Sequence, residues 1–86
     1  MPRFYFDVRE GTRFVPDEVG LNYDNLNAAE HAAAETAAEI GRELLPKGGA
    51  REITVEARNE YRQRVLTVMA SLEVHRVDPE PLPPRW

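Results

Sequence analysis

A single narrow apolar stripe constrains this chain more than any other feature: Leu26, Ala29, Ala33, Ala37, Ile40 and Leu44 recur at steps of three and four. The spacing predicts one long helix of about five turns. Because the stripe is mostly alanine, the helix axis can approach a neighbouring layer closely and bury backbone as well as side chains. Asn25 or Asn27 can cap its start, and Asn27 with Glu30 three positions on makes an imperfect capping box. Pro46, Lys47, Gly48 and Gly49 stop it. A helix with one apolar stripe needs a second layer to cover, and the segments on either side of it read as strands.

Before the helix, Phe4, Phe6 and Val8 face one way and Tyr5, Asp7 and Arg9 the other, the period of two of a half-buried strand, and Gly11 ends the run. A second strand is expected at residues 13–15 or 19–23. Between these, Pro16 fixes φ, Asp17 can accept backbone hydrogen bonds and Gly20 can take positive φ. After the helix, Ile53, Val55 and Ala57 alternate with Glu52, Thr54, Glu56 and Arg58, and the polar run 59–63 forms a turn. Leu66, Val68, Ala70, Leu72 and Val74 then alternate with Val65, Thr67, Met69, Ser71 and Glu73. This last strand is the longest and most apolar, which predicts a place at the sheet centre or pairing on both edges through assembly.

The expected fold is therefore α+β, a two-layer sandwich of order ββαββ with one long helix packed on a mainly antiparallel four-stranded sheet. Strand orders 2-1-3-4 and 2-1-4-3 both satisfy the connections. Four prolines in the last eight residues predict extended polyproline or disorder there. The reading is one domain over 1–77 and a Pro-rich tail over 78–86 that is flexible or docked, through Leu82 and Trp86, on its own subunit or on a partner. The stretch Pro81-Leu82-Pro83-Pro84-Arg85 is also compatible with polyproline recognition.

A domain of 86 residues buries only ~60 to 65% of its unfolded surface, so its stability belongs toward the low end of the ~5 to 15 kcal/mol usual for domains. Self-association would add to it. With no cysteine there is no disulfide, thiolate metal site or thiol nucleophile. That composition, with no apolar run long enough for a signal peptide or membrane span, predicts a soluble cytoplasmic protein. Fifteen acidic residues against eleven basic give a net charge of −4, which opposes wholesale adsorption to nucleic acid or anionic membrane.

The opening Arg3-Phe-Tyr-Phe-Asp-Val-Arg-Glu-Gly11, the segment Asp17-Glu18-Val19-Gly20, the helix start Leu26-Asn27-Ala28-Ala29, and the strands Val55-Glu56-Ala57-Arg58 and Leu66-Thr67-Val68 carry a resemblance. Together they resemble a family of short bacterial proteins known only as a domain of unknown function. The resemblance implies a stand-alone domain with this strand and helix order, and no catalytic residues.

Few constellations suggest chemistry. His31, Glu35 and Glu39 share an exposed helix face without a second element to complete a metal site, and His75 has no evident partner. Asp7, Asp17 and Glu18 could form a carboxylate pair for acid–base work, but a charge pair for Asp7 and turn formation by Asp17 with Gly20 account for them more simply. Gly48-Gly49 follows a helix rather than preceding one, unlike a phosphate loop. No enzyme activity, metal or cofactor is expected.

Two binding surfaces remain. Arg9, Arg58, Arg62 and Arg64, with Arg3 and Arg13, cluster on the hairpins, where Tyr5 and Tyr61 could stack on bases, although Glu52, Glu56, Glu60 and Glu73 lie among them. The sheet face left uncovered by the helix carries Tyr5, Val65, Thr67, Met69 and Ser71, a mixed apolar set that favours a partner. The expectation is a non-enzymatic protein-interaction module that self-associates, as a homodimer through this face or an edge strand, and that can also engage another protein. The alternative is a nucleic-acid-binding regulator using the hairpin arginines.

Overall fold

In the computed structural model, which describes residues 1–79 and 81–85, the alternating segments form sheet and the alanine stripe forms a helix. The chain runs β1 (Arg3–Glu10), β2 (Arg13–Val15), β3 (Leu21–Asn22), α1 (Leu26–Leu44), β4 (Glu52–Asn59) and β5 (Arg64–Ser71). All pairings are antiparallel, in the order β2-β1-β4-β5, with β3 pairing β1 as well. The fold is α+β. Its sheet has five strands where four were expected, because both candidates for the second strand form, each against its own part of β1. β1 lies beside β4, so the order with a parallel central pair does not occur.

Helix α1 packs on β4 and β5. Its buried row is Ala29, Ala33, Ala37 and Gly41, at steps of four. This corrects the expected stripe at both ends: Leu26 is exposed, and Gly41, absent from an apolar count, is buried. The small row lets the helix come close to the sheet. A Cβ on Gly41 would stand 3.6 Å from the Ala70 Cβ. Beneath this row Ile53 and Val55 are fully buried, and Phe6, Val8, Leu66, Val68 and Ala70 pack around Val55, Ala33 and Ala37.

Both helix ends follow from local chemistry. Asn25 is the N-cap, its Oδ1 accepting from the Ala28 N–H at 2.9 Å. Beyond the C-terminus, Gly48 adopts φ +73°. Its N–H donates to the Leu45 carbonyl at 3.2 Å and the Gly49 N–H to the Leu44 carbonyl at 3.0 Å, the paired bonds of a Schellman motif.

β5 stops at Ser71, three residues short of the expected Val74. Ser71 pairs with Glu52, where β4 begins, so among the described residues no strand lies opposite residues 72–74. Leu72 and Val74 are consequently 50% and 78% exposed. In the tail Leu82 is exposed, while Glu80 and Trp86, and with Trp86 its expected docking, lie outside the described residues.

Candidate functional site

The return strand that follows β1 is interrupted. Val8 pairs with Val15 and Phe4 with Leu21, so residues 5–7 of β1 stand opposite residues 16–20 and two residues too many must leave the ladder. The excursion takes away the strand that would have bonded β1, and Asp17 replaces it. Its Oδ2 accepts from the Phe6 N–H at 3.0 Å, and its Oδ1 accepts from the N–H groups of Val19 and Gly20, each at 3.0 Å. The Asp17 N–H donates to Asp7 Oδ1 at 2.9 Å. Arg58, reaching across from β4, donates from Nε to Asp7 Oδ2 at 2.6 Å, and from Nη2 to Asp7 Oδ1 at 3.2 Å and to the Asp17 carbonyl at 3.1 Å.

This network explains why a charged residue can be buried in β1. Burial alone would raise the Asp7 carboxyl, but the bonds from Arg58 and from the Asp17 N–H outweigh it and hold the group below the ordinary aspartate value. Burial likewise opposes the Gly20, Phe6 and Val19 N–H groups at Asp17, and they win there too. The hydrogen bond to Asp7 raises the Arg58 guanidinium in return. A working acid–base pair of carboxylates needs their pKa values pushed apart; these two are pushed the same way and serve as fixed acceptors. Gly20 completes the turn at φ +71°, where a Cβ would stand 2.8 Å from the Tyr5 ring and 2.9 Å from the Phe4 carbonyl.

The sheet face away from α1 is mostly ionic. Arg9 and Arg64 both reach Glu56, at 3.2 and 2.9 Å, and Arg58 is held by Asp7, so three of the four candidate arginines already have carboxylate partners. Two also lie over rings, Arg9 4.5 Å from the Phe14 centroid and Arg58 5.2 Å from that of Tyr5. Arg62 occupies the β4–β5 turn at φ 63° and lines a cleft of about 500 Å³ together with Tyr5, Asp17, Glu18, Arg58 and Glu60.

The candidate apolar set does not form one patch. Tyr5 stands in a row with Arg58 and Arg64, two strands away from Met69, and the Arg9–Glu56–Arg64 line runs between them. Val65 is half-buried at a bulge, where the register shifts between Leu66 opposite Ala57 and Arg64 opposite Arg58. Thr67, Met69 and Ser71, opposite Glu56, Thr54 and Glu52, are brought together along β5. His31 meets Glu35 at 2.8 Å and His75 meets Glu73 at 3.2 Å, both on exposed surface. Among the described residues no three metal-ligating side chains converge.

β5 itself is the more distinctive surface. Its inner edge pairs with β4, and among the described residues no strand covers its outer edge. Of its eight residues only Arg64 is charged, and none is proline. Beside it, between the C-terminal part of α1 and β5, runs an apolar groove of about 210 Å³ lined by Ala38, Gly41, Leu45, Pro46, Ala70 and Leu72.

A family model described as Domain of unknown function (DUF6894) matches residues 3–71, from the first residue of β1 to the last of β5. The chain belongs to that family. No curated protein and no solved structure matches it. In this DUF6894 domain no helix among the described residues is long and apolar enough to cross a membrane.

Residue type alone pointed to Asp17 and Gly20 as turn formers. Their link to Phe6, Asp7 and Arg58 depends on strand register, for which an acidic residue in the middle of β1, flanked by Phe6 and Val8, was the available signal. The exposed β5 edge was harder to see, since alternation assigns residues to faces and not to neighbours.

Proposed function

We propose that this DUF6894 domain is a non-enzymatic interaction module that self-associates by pairing the free β5 edges of two copies into one continuous sheet. The observation that carries this reading is an eight-residue edge strand with one charge and no proline. Long, apolar, unprotected edges are ready templates for another strand. The adjoining groove supports it, because a second copy seated on the edge would also cover Leu72 and Ala70. Both central carboxylates are committed to backbone and arginine, which favours a binding role over catalysis. A cysteine-free chain suits the reducing cytoplasm in which we place it.

Nucleic-acid binding through Arg9, Arg58 and Arg64 is the weaker reading, since phosphate would have to displace Glu56 or Asp7 from each.

The test is native mass spectrometry over a concentration series, comparing the natural chain with Met69→Glu. Met69 is 59% exposed, so the substitution leaves the isolated fold intact while placing charge on the pairing edge. The natural chain should be dimeric and the variant at least about tenfold weaker in association, a loss of ~1.4 kcal/mol. A natural chain that stays monomeric to high micromolar concentration ends the proposal.

A further inference from the structure

The apolar alternation that ends in Leu72 and Val74 has no use in the isolated chain, because β4 starts too late to pair with it. We infer that a second copy of this chain provides the missing strand: two β5 segments pair antiparallel about a two-fold axis at Met69, and β5 lengthens through Val74 as they do. The inference rests on the self-association reading above and adds its register.

Three features select that register. β5 begins at Arg64 and, lengthened through Val74, spans residues 64–74, whose midpoint is Met69. An antiparallel pair centred there sets Leu66 opposite the second copy's residue 72 and Val68 opposite its residue 70, apolar against apolar on the helix side, and Thr67 opposite residue 71 on the other side. Charge decides between this arrangement and its neighbours. With the axis at Met69, Glu73, whose side chain is 82% exposed beside His75, comes next to Arg64 of the other copy. An axis at Ala70 would instead set Arg64 opposite Arg76 of the other copy, two like charges face to face. An axis at Val68 leaves Val74 beyond the paired segment.

The natural chain contains no cysteine, so a single introduced thiol reports register directly. Residues facing each other across the axis have Cα atoms ~4.5 to 5.5 Å apart, inside the ~4.4 to 6.8 Å that a disulfide spans. A slip of one residue in the axis displaces the same pair by two residues, ~6.8 Å along the strand, and prevents closure. Under mild oxidation Met69→Cys should convert mostly to covalent dimer, while Val68→Cys and Ala70→Cys should not. Amide exchange at those of residues 72–74 whose N–H faces the second copy should slow by at least about tenfold between dilute and concentrated protein, as expected of newly paired strand.

Cross-linking by Ala70→Cys or Val68→Cys in place of Met69→Cys, in a chain that native mass spectrometry shows to be dimeric, would overturn the register and leave the self-association reading standing. A dimer whose residues 72–74 exchange at the monomer rate would overturn the lengthening of β5. A chain monomeric by mass would remove both.

Discussion

Along one edge of the sheet, β2 and β3 are three and two residues long, Pro16 interrupts the strand between them, and a side-chain carboxylate takes the Phe6 N–H. Along the other, β5 continues for eight residues, and among the described residues no strand covers its outer backbone. Short strands, proline and a local excursion are the usual means of preventing a sheet edge from recruiting another chain. Both edges belong to one small domain, so composition cannot account for the difference. Sealing the first edge requires a buried ionic network, whereas the second lacks even a charge beyond Arg64. The contrast teaches that openness at β5 is local to that strand, and it is the reason assembly is assigned there.

The largest effect should come from breaking the sealed edge. Asp17→Ala removes the acceptor for the Phe6, Val19 and Gly20 N–H groups, while the backbone N–H that donates to Asp7 remains. Unsatisfied buried donors cost ~1 to 3 kcal/mol each, with water recovering part at this half-exposed loop, so about 3 kcal/mol is expected in urea denaturation. That is a large share of a small domain's stability. The variant should also aggregate more readily than the natural chain, since β1 would then present its own open edge. A loss below about 1 kcal/mol would mean that backbone pairing by β2 and β3 seals the edge without Asp17.

Much of the fold was legible before the structure, and the failures share a cause. The helix was readable at both ends because caps are local: Asn25 and Gly48 act within a few residues of themselves. The faces of β1 and β4 were readable because a period of two needs only the strand's own sequence. What depended on a neighbour was not. β5 stops at Ser71 because β4 begins at Glu52, and nothing within residues 66–74 carries that information. Gly41 lies outside the apolar stripe because periodicity counts apolar side chains and glycine has none, yet it continues the buried row of Ala29, Ala33 and Ala37. By sequence Arg58 belongs with the hairpin arginines, but its place opposite the excursion gives it to Asp7. The candidate interface divided for the same reason: Tyr5 belongs to the sealed side of the sheet, and Thr67, Met69 and Ser71 to the open edge.

A smaller and reversible test of the same contrast uses pH. Asp7 and Asp17 both have folded-state values below the ordinary 3.8. A depressed carboxyl contributes stability that is fully present above its unfolded value and is lost as pH falls through its folded one. Denaturation midpoints should therefore owe nothing to this pair's titration between neutrality and about pH 4.5, and fall below the ordinary aspartate range. Protonation weakens these bonds without deleting the groups, so the drop should be less than that of Asp17→Ala, and it should be shallower again in that variant. Amide exchange should show residues 16–20 opening first on acidification, with β5, whose single charge is an arginine, following only at global unfolding. Acid-induced exchange beginning in β5 would show that the ionic network is not the acid-sensitive part of the domain.

The smallest effect is expected at Gly41, where the helix borders the open edge. Alanine is favoured over glycine in a helix interior by ~1 kcal/mol. Against that, the new Cβ would lie 3.1 Å from Leu45 Cδ1 and 3.6 Å from the Ala70 Cβ. The second distance is ordinary contact. The first is tight, but it involves the end of a half-buried leucine at the last turn, which can rotate toward the groove. The propensity gain should win by a small margin, leaving Gly41→Ala about 0.5 kcal/mol more stable in thermal or urea denaturation of the dilute, monomeric chain. Because the displaced Leu45 would enter the groove that the proposed second copy would cover, association should weaken while the monomer strengthens. Opposite signs in the two measurements would locate the interface beside β5 without touching the strand itself; a parallel gain in both would show that the groove lies outside it.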